Sequence, residues 1–305
     1  MTALDDYLRL IQLHCEVYHN QQVCGNWVIE EHEEGQTCFH LVSHGRCRLE
    51  VGQASTILET GDVVLFPREV PHRLVPLAGR GPARRLPMTQ DWQEDATGLL
   101  CAAIQFEHRA SEPLLNAWPT YLIVRRDAET ARWLMPLLEQ LVAVSREAGP
   151  GSRAIVDRLA EVVFMQVLRH RLSDPEQTVG FVAAYAHPRL GPAMSAFHAT
   201  ADQAWTLAEA AARAHQSRAQ FARTFKTVTG WTWLRYQNWW RMQLAWSKLE
   251  RGESVIETAL SVGYRSEAAF SRAFSRHFGC HAGAVRRAYR NGNRRPDQDS
   301  SDNHR

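Results

Sequence analysis

The sequence predicts an α+β protein of two domains: an N-terminal antiparallel β domain, a helical linker, and a C-terminal all-α domain with two helix-turn-helix units. Three observations carry this reading. Residues 25–108 alternate short apolar runs with Gly and Pro turns. Beyond residue 127 the apolar positions recur at helical spacing. Residues 206–230 and 255–279 match one another at an offset of 49 residues.

In chain order, residues 1–20 read as a short helix with Leu8, Ile11 and Leu13 among its apolar positions. NWVIEEH, TCFHLVSHG, RCRLEVG, STILETGD, VVLFPRE, HRLVPL and LLCAAIQFEH then read as strands of a sandwich or barrel. Residues 78–98, polar and rich in Gly, Pro and Arg, read as a mobile loop between two strands. ETARWLMPLLEQLVAVSREAG is an amphipathic helix stopped by Gly149-Pro150-Gly151. SRAIVDRLAEVVFMQVLRHRL is a second, with Ile155, Leu159, Val162, Val163, Gln166 and Val167 near one face. The expected divisions are 1–126 for the β domain, 127–178 for the linker, 179–290 for the helical domain and 291–305 for a disordered tail without apolar residues.

Charge is unevenly spread. Residues 205–290 hold 14 Lys and Arg against 5 Glu and no Asp, a net of +9. The remainder carries 21 basic against 28 acidic residues, a net of −7. A basic third is suited to a polyanion, because each Lys or Arg beside a phosphate releases a condensed counterion. No apolar run approaches the ~20 residues of a membrane span, and MTALDDYLRL lacks the basic start of a signal peptide. A cytoplasmic protein with no membrane contact follows. The six cysteines, Cys15, Cys24, Cys38, Cys47, Cys101 and Cys280, form no CxxC pair. That argues against a structural zinc of the usual spacing and predicts free thiols in a reducing compartment.

The repeat points to function. At offset 49, seven pairs are identical: Ala210/Ala259, Ser217/Ser266, Ala219/Ala268, Phe221/Phe270, Arg223/Arg272, Phe225/Phe274 and Gly230/Gly279. Each copy reads as helix, tight turn, helix. Leu207, Ala210 and Ala211, and in the second copy Ile256, Ala259 and Leu260, supply a small apolar face for close crossing. Gly263, paired with Ala214, suits a turn with positive φ. Ser217 and Ser266 are placed to cap the second helix. Phe221 with Phe225, and Phe270 with Phe274 and Phe278, recur every four residues and anchor that helix to the core. Its opposite face shows Arg218, Gln220, Arg223 and Lys226 in copy one, and Glu267, Arg272, Ser275 and Arg276 in copy two.

A buried aromatic stripe backed by an exposed basic face is the arrangement that enters a major groove. Ser217, Arg218, Gln220, Arg223, Lys226, Arg265, Ser266, Arg272 and Arg276 are the candidate contacts to double-stranded promoter DNA. Arg on such a face bonds two acceptors of guanine at once, worth ~1–3 kcal/mol of discrimination. The segment between the copies, GWTWLRYQNWWRMQLAWSKLERG, reads as one long helix with Leu234, Trp240, Leu244, Ala245 and Leu249 inward. It would hold two reading heads ~34 Å apart, one helical turn of DNA.

HPRLG, WTLAEAA, SRAQFARTFKTVTG, RMQLA and ALSVGYRSEAAFSRAFSRHFG resemble the AraC/XylS family of transcription regulators over residues 180–290. The family usually has Pro soon after the final Phe-Gly; CHAGAVRR has Ala282 there, which bears on the start of the last helix. GDVVLFPREVPHRL (residues 61–74) resembles the second cupin motif, with Glu69 in place of a common Gly and His72 at the histidine position. FHLVSHGRCRL resembles the end of the first. The N-terminal domain therefore resembles the cupin-like β-barrel sensor of one subgroup, and residues 127–172 its linker and dimerisation region.

The resemblance implies RNA polymerase and a second copy of the chain as partners, and a small-molecule or oxidant signal. No cofactor is expected; a divalent metal held by His32, Glu34, Cys38 and His72 is the alternative, against a solvated EEHEEG turn and a packed His72. Cys24 and Cys101, placed near one end of the barrel, are the redox candidates, against Cys101 as a small buried hydrophobe flanked by Leu99, Leu100 and Ala102; Arg84 and Arg85 would lower a thiol pKa that they reached. The alternative to a regulator is a metal-dependent cupin enzyme with an accessory helical domain.

Overall fold

A computed structural model describes residues 2–30, 35–88, 91–93, 95–127, 129–147, 149–173 and 182–290. They form two compact units. One gathers the described residues of 12–107 and 111–173; the other gathers those of 2–11, 108–110 and 182–290.

The chain begins with helix α1 (Ala3–Ile11), and the left-handed Gln12 (φ 37°) turns it into strand β1 (Leu13–Cys24). This strand lies where a helix through residue 20 is expected. Cys15, Val17 and His19 are buried and alternate with exposed or part-exposed neighbours, a two-residue period that no helix shows. Strands β2 (Thr37–His44), β3 (Arg46–Val51), β4 (Ala54–Glu59), β5 (Val63–Phe66), β6 (His72–Pro76), β7 (Arg84–Pro87) and β8 (Thr97–Phe106) follow, then helix α2 (Glu112–Ala117) and β9 (Leu122–Val124). The hydrogen bonding makes two sheets rather than one closed barrel. Six strands run β7-β1-β8-β2-β5-β9 and three run β4-β3-β6, with an isolated bridge from Ile29 to Leu74 extending the second. Val23, Cys38, Val42, Val64, Phe66 and Leu99 of the larger sheet share one core with Cys47, Leu49, Leu58 and Leu74 of the smaller.

The segment expected as a loop at 78–98 contains β7, which pairs with Gln21–Cys24 of β1. Its sequence, RRLP, has no alternation to reveal it, because it is an exposed edge strand. Beyond β7, the free edge of β1 is covered by helix. Helices α3 (Thr130–Glu147) and α4 (Ser152–Ser173) pack together, and the Glu161 and Asp157 carboxylates of α4 accept from the backbone N–H of Cys15 (3.3 Å) and Val17 (2.9 Å). The buried face of α4 carries Val156, Ala160, Val163, Phe164, Val167 and Leu168, one step round from the stripe the sequence suggests; Ile155 and Val162 are exposed.

The helical unit contains α5 (Ala183–Ala186), α6 (Leu190–Ala199), α7 (Leu207–Arg213), α8 (Arg218–Thr229), α9 (Trp233–Glu250), α10 (Val255–Ser261), α11 (Glu267–Phe278) and α12 (Ala282–Arg290). Helix α1 belongs here too, not to the β domain: the Tyr7 hydroxyl donates to the Ala110 carbonyl (2.7 Å), Asp6 lies 3.5 Å from His198, and the Tyr7 ring meets Tyr185. Helix α12 starts at Ala282 without the family's proline. Ala282 and Val285 are buried in the core beside α9 and α11, and this burial supplies the anchoring. The expected tail at 291–305 lies outside the described residues.

Candidate functional site

Each helix-turn-helix copy is built from its caps inward. Thr206 and Glu209 form a capping box at the start of α7, and Ser254 and Glu257 form another at α10. Ser217 accepts from the Gln220 N–H and Ser266 from the Ala269 N–H, fixing the starts of α8 and α11. Gly230 and Gly279, both at φ 74°, end these helices in the left-handed conformation.

Between the caps the copies slip by one residue. The first helix and turn superpose at an offset of 48: Gln216 N–H donates to Ala211 as Tyr264 N–H donates to Ala259, and the positive φ falls on His215 (52°) and Gly263 (85°). The second helices keep the offset of 49, so Arg265 is the additional residue of copy two. The pairings Ala210/Ala259 and Ala214/Gly263 therefore do not correspond in space. The buried residues are Ala210 and Ala211 in α7, and Thr258 and Ala259 in α10, while Leu207, Ile256 and Leu260 are exposed. A Cβ on Gly263 would lie 2.5 Å from the Asp202 carbonyl oxygen, so close approach as well as φ requires glycine.

Behind the exposed face, Phe221 and Phe225 pack on Trp233 at 5.5 and 5.2 Å, and Phe274 and Phe278 on Trp246 at 5.9 and 4.7 Å. Trp240, Ala245 and Leu249 of α9 face inward, whereas Leu234 is 63% exposed. Ser217, Arg218, Gln220, Arg223 and Lys226 are all exposed on copy one, and Arg265, Ser266, Arg272 and Arg276 on copy two. Arg223 and Arg272 enter no ion pair or hydrogen bond among the described residues, so both guanidinium groups present their donors to solvent.

In the β-rich unit the interior is polar at one point. Cys38 and His40 of β2, Glu69 of the β5–β6 turn and His72 of β6 are all buried. One donor atom from each of Cys38, His40 and Glu69 lies within 4.8 Å of the other two. The Nε2 atoms of His40 and His72 are 2.7 Å apart, and Cys38 Sγ is 4.0 Å from His40 Nε2. Cys101 of β8 stands directly opposite His40 in the strand register, and His19 of β1 opposite Cys101. Burial, then His72 and His19, holds the His40 imidazole well below its usual range and therefore neutral. Burial, then the Glu69 carboxylate, pushes the Cys38 thiol up.

Of the expected metal ligands, Cys38 lies in this cluster and His72 adjoins it through His40, while His32 and Glu34 lie outside the described residues. His40 and Glu69 were not singled out by sequence. The parity of β2 carries the signal for the first, since residues 38 and 40 share a face; the replacement of a motif Gly carries it for the second.

The redox pairing of Cys24 with Cys101 is not supported. Cys24 ends β1, and the register pairs Cys101 with His19, five residues earlier. At ~3.3 Å per residue this separates the two by roughly 16 Å, against a disulfide limit of about 7 Å between Cα atoms. Arg84 does stand opposite Cys24. Burial and Asp95 outweigh it, and the thiol is pushed up rather than down.

A groove of about 530 Å³ also opens in this unit, lined by Val17, Asn20, Met88, Ser145, Arg153 and Val156 of β1, β7's flank and the two helices α3 and α4.

Residues 3–173 match a family described as cupin, and residues 210–288 one described as a helix-turn-helix domain. The RCS-specific HTH-type transcriptional activator RclR of Escherichia coli strain K12 is 30% identical over 239 residues, covering 77% of this chain and 78% of that protein. The HTH-type transcriptional regulator AlkR of Acinetobacter baylyi is 25% identical over 293 residues, covering 90% and 95%. The DNA-binding domain of AdpA, solved with a target DNA, is 32% identical and covers 36% of this chain and 99% of its own, with a TM-score of 0.33. These relatives are regulators rather than enzymes, and the chain itself belongs to the AraC/XylS family of DNA-binding transcription regulators, with a cupin-like domain ahead of its helix-turn-helix domain.

Proposed function

We propose that this regulator reads promoter DNA with α8 and α11, placing Arg223 and Arg272 against base edges and Arg218, Lys226, Arg265 and Arg276 against phosphates. Ser217 and Ser266 fix the helix starts, where free backbone N–H groups also favour phosphate. Gln220 lies on the base-facing side of α8. The observation that carries the reading is the pair of matched, exposed arginines, each backed by a buried phenylalanine stripe. Helix α9, 18 residues long and so about 27 Å, spaces the two heads for successive major grooves of one duplex. Fluorescence anisotropy with the DNA upstream of the protein's own gene tests this. Arg223→Ala and Arg272→Ala each weaken binding to the specific site by ~1–3 kcal/mol and leave the circular dichroism unchanged; normal binding by both variants would remove the assignment.

The signal, a small molecule, acts in the β-rich unit and changes how the reading heads are presented, through its different affinity for two states. The regulator acts in the cytoplasm at RNA polymerase. It works as a homodimer that buries the outward Ile155 and Val162 of α4. Sedimentation of the free protein gives a dimer that Ile155→Asp converts to monomer; a wild-type monomer at working concentration sinks the dimer.

A further inference from the structure

The interior of the β-rich unit has the chemistry of a metal centre, with a ligand set of its own. A cupin fold implies a metal held by the first-motif positions, here His32, Glu34 and Cys38, with His72. The donors differ in part: Cys38, His40 and Glu69 converge, and His72 adjoins His40. Two of them, His40 and Glu69, stand at positions that pattern does not use, and Glu69 replaces a motif glycine.

We propose that Cys38, His40, Glu69 and His72 bind one zinc-class divalent ion, with Cys101 beside them as the adjoining thiol. Four features support this. First, donors around a tetrahedral zinc lie about 3.3–3.8 Å apart, given bonds of ~2.0–2.3 Å. The separations here, 2.7 Å between His40 and His72 and 4.0 Å between Cys38 and His40, bracket that spacing.

Second, the orientation is set from outside. His72 Nδ1 lies 2.8 Å from the Val70 carbonyl, which takes the Nδ1 hydrogen and leaves the Nε2 lone pair pointing inward. That arrangement orients an imidazole for a metal. Third, His40 Nδ1 is buried without a hydrogen-bond partner, in a ring that is 0% exposed. A buried polar group without a partner costs free energy; either ring nitrogen can be the donor, and a flip of the ring that puts Nδ1 on the ion removes that cost. Fourth, the surroundings are apolar: Val42, Val64, Phe66 and Leu74 share this core. Such an interior has no packing use for a thiol, a carboxylate and two imidazoles at one point.

The donor set selects the ion. A thiolate with two imidazoles suits zinc and its borderline-soft neighbours and disfavours magnesium or calcium, which require oxygen ligands. Four protein ligands also close the coordination shell, which marks a structural or regulatory centre rather than a catalytic one. Cys38 and His40 belong to the six-stranded sheet and His72 to the three-stranded one, so the ion would clamp the two sheets together.

The test uses the full-length reduced protein, stripped with a chelator and titrated with cobalt(II) and then zinc(II). One equivalent of cobalt produces a thiolate-to-cobalt charge-transfer band and intense visible bands, and zinc removes both. The melting temperature rises with either metal, as ligand binding to the native state requires. Cys38→Ser abolishes the charge-transfer band, and His72→Gln, which removes a direct ligand, weakens metal binding by more than the ~10–100-fold that loss of an outer-shell partner costs. Cys280→Ser changes neither. Circular dichroism of the variants verifies that they fold. A wild-type protein without the band, or a band that survives in Cys38→Ser, overturns the proposal. DNA affinity is measured on the same samples, so failure of the regulator reading is seen separately from failure of the metal site.

Discussion

The two helix-turn-helix copies share a scaffold and differ in the surface it presents. Both carry a capping box, a serine at the start of the second helix, a phenylalanine pair behind it and a left-handed glycine after it. Copy one then shows Arg218, Gln220, Arg223 and Lys226. Copy two begins its helix with Glu267 where copy one has Arg218, and its turn is longer by Arg265. An acidic residue in the first turn favours the helix through the macrodipole but disfavours a phosphate there. The repeat therefore keeps what holds the second helix in place and varies what that helix exposes. On the proposed reading, two heads of this kind bind unlike half-sites with unlike strength.

Five substitutions, in three sets, probe that contrast in descending order of effect. Phe225→Ala and Phe274→Ala each remove a ring that is 0% exposed. Each costs ~3–5 kcal/mol of stability, read by denaturant unfolding, and near-equal losses mark the scaffolds as equivalent. A loss below 1 kcal/mol in either copy would show that its stripe is not core. Arg223→Ala and Arg272→Ala leave stability unchanged and each costs ~1–3 kcal/mol of binding to the specific site. Each should relax preference in only one half-site, as resolved by anisotropy on half-site variants. Loss of preference in the same half-site from both would contradict two separate heads. Glu267→Gln gives the smallest change: tighter DNA binding with a salt dependence steeper by at most about one counterion. No change in the salt slope would place the start of α11 away from phosphate.

The helical domain was legible because its signals are local. Serine caps, a four-residue phenylalanine period and a terminal glycine all lie within 25 residues of one another. What sequence comparison missed was the slip: aligning the two copies at one offset paired Ala210 with Ala259, although the hydrogen bonds pair Ala211 with Ala259. A one-residue lengthening of a turn leaves little trace when the helices on either side are rich in alanine.

The β-rich unit was legible only in part. β2 through β6 and β8 show as apolar runs bounded by turns, but β7 is an edge strand without alternation, and β1 follows its helix after a single residue, Gln12. The candidate site suffered more. Cys38 and His72 were identifiable from the cupin spacing, and His40 and Glu69 were not. The Cys24–Cys101 pairing failed because strand order along the chain says nothing about register.

By itself the sequence determined the two-domain plan, the placement of the helix-turn-helix units and the separation of charge between the domains, because these rest on periodicities and caps spanning a few turns of chain. Only the tertiary structure decided which buried donors share a point, which cysteines are far apart, and that α1 belongs with the helical unit. Those depend on strand register and on packing between segments distant in sequence, where a shift of one residue moves a side chain to the opposite face.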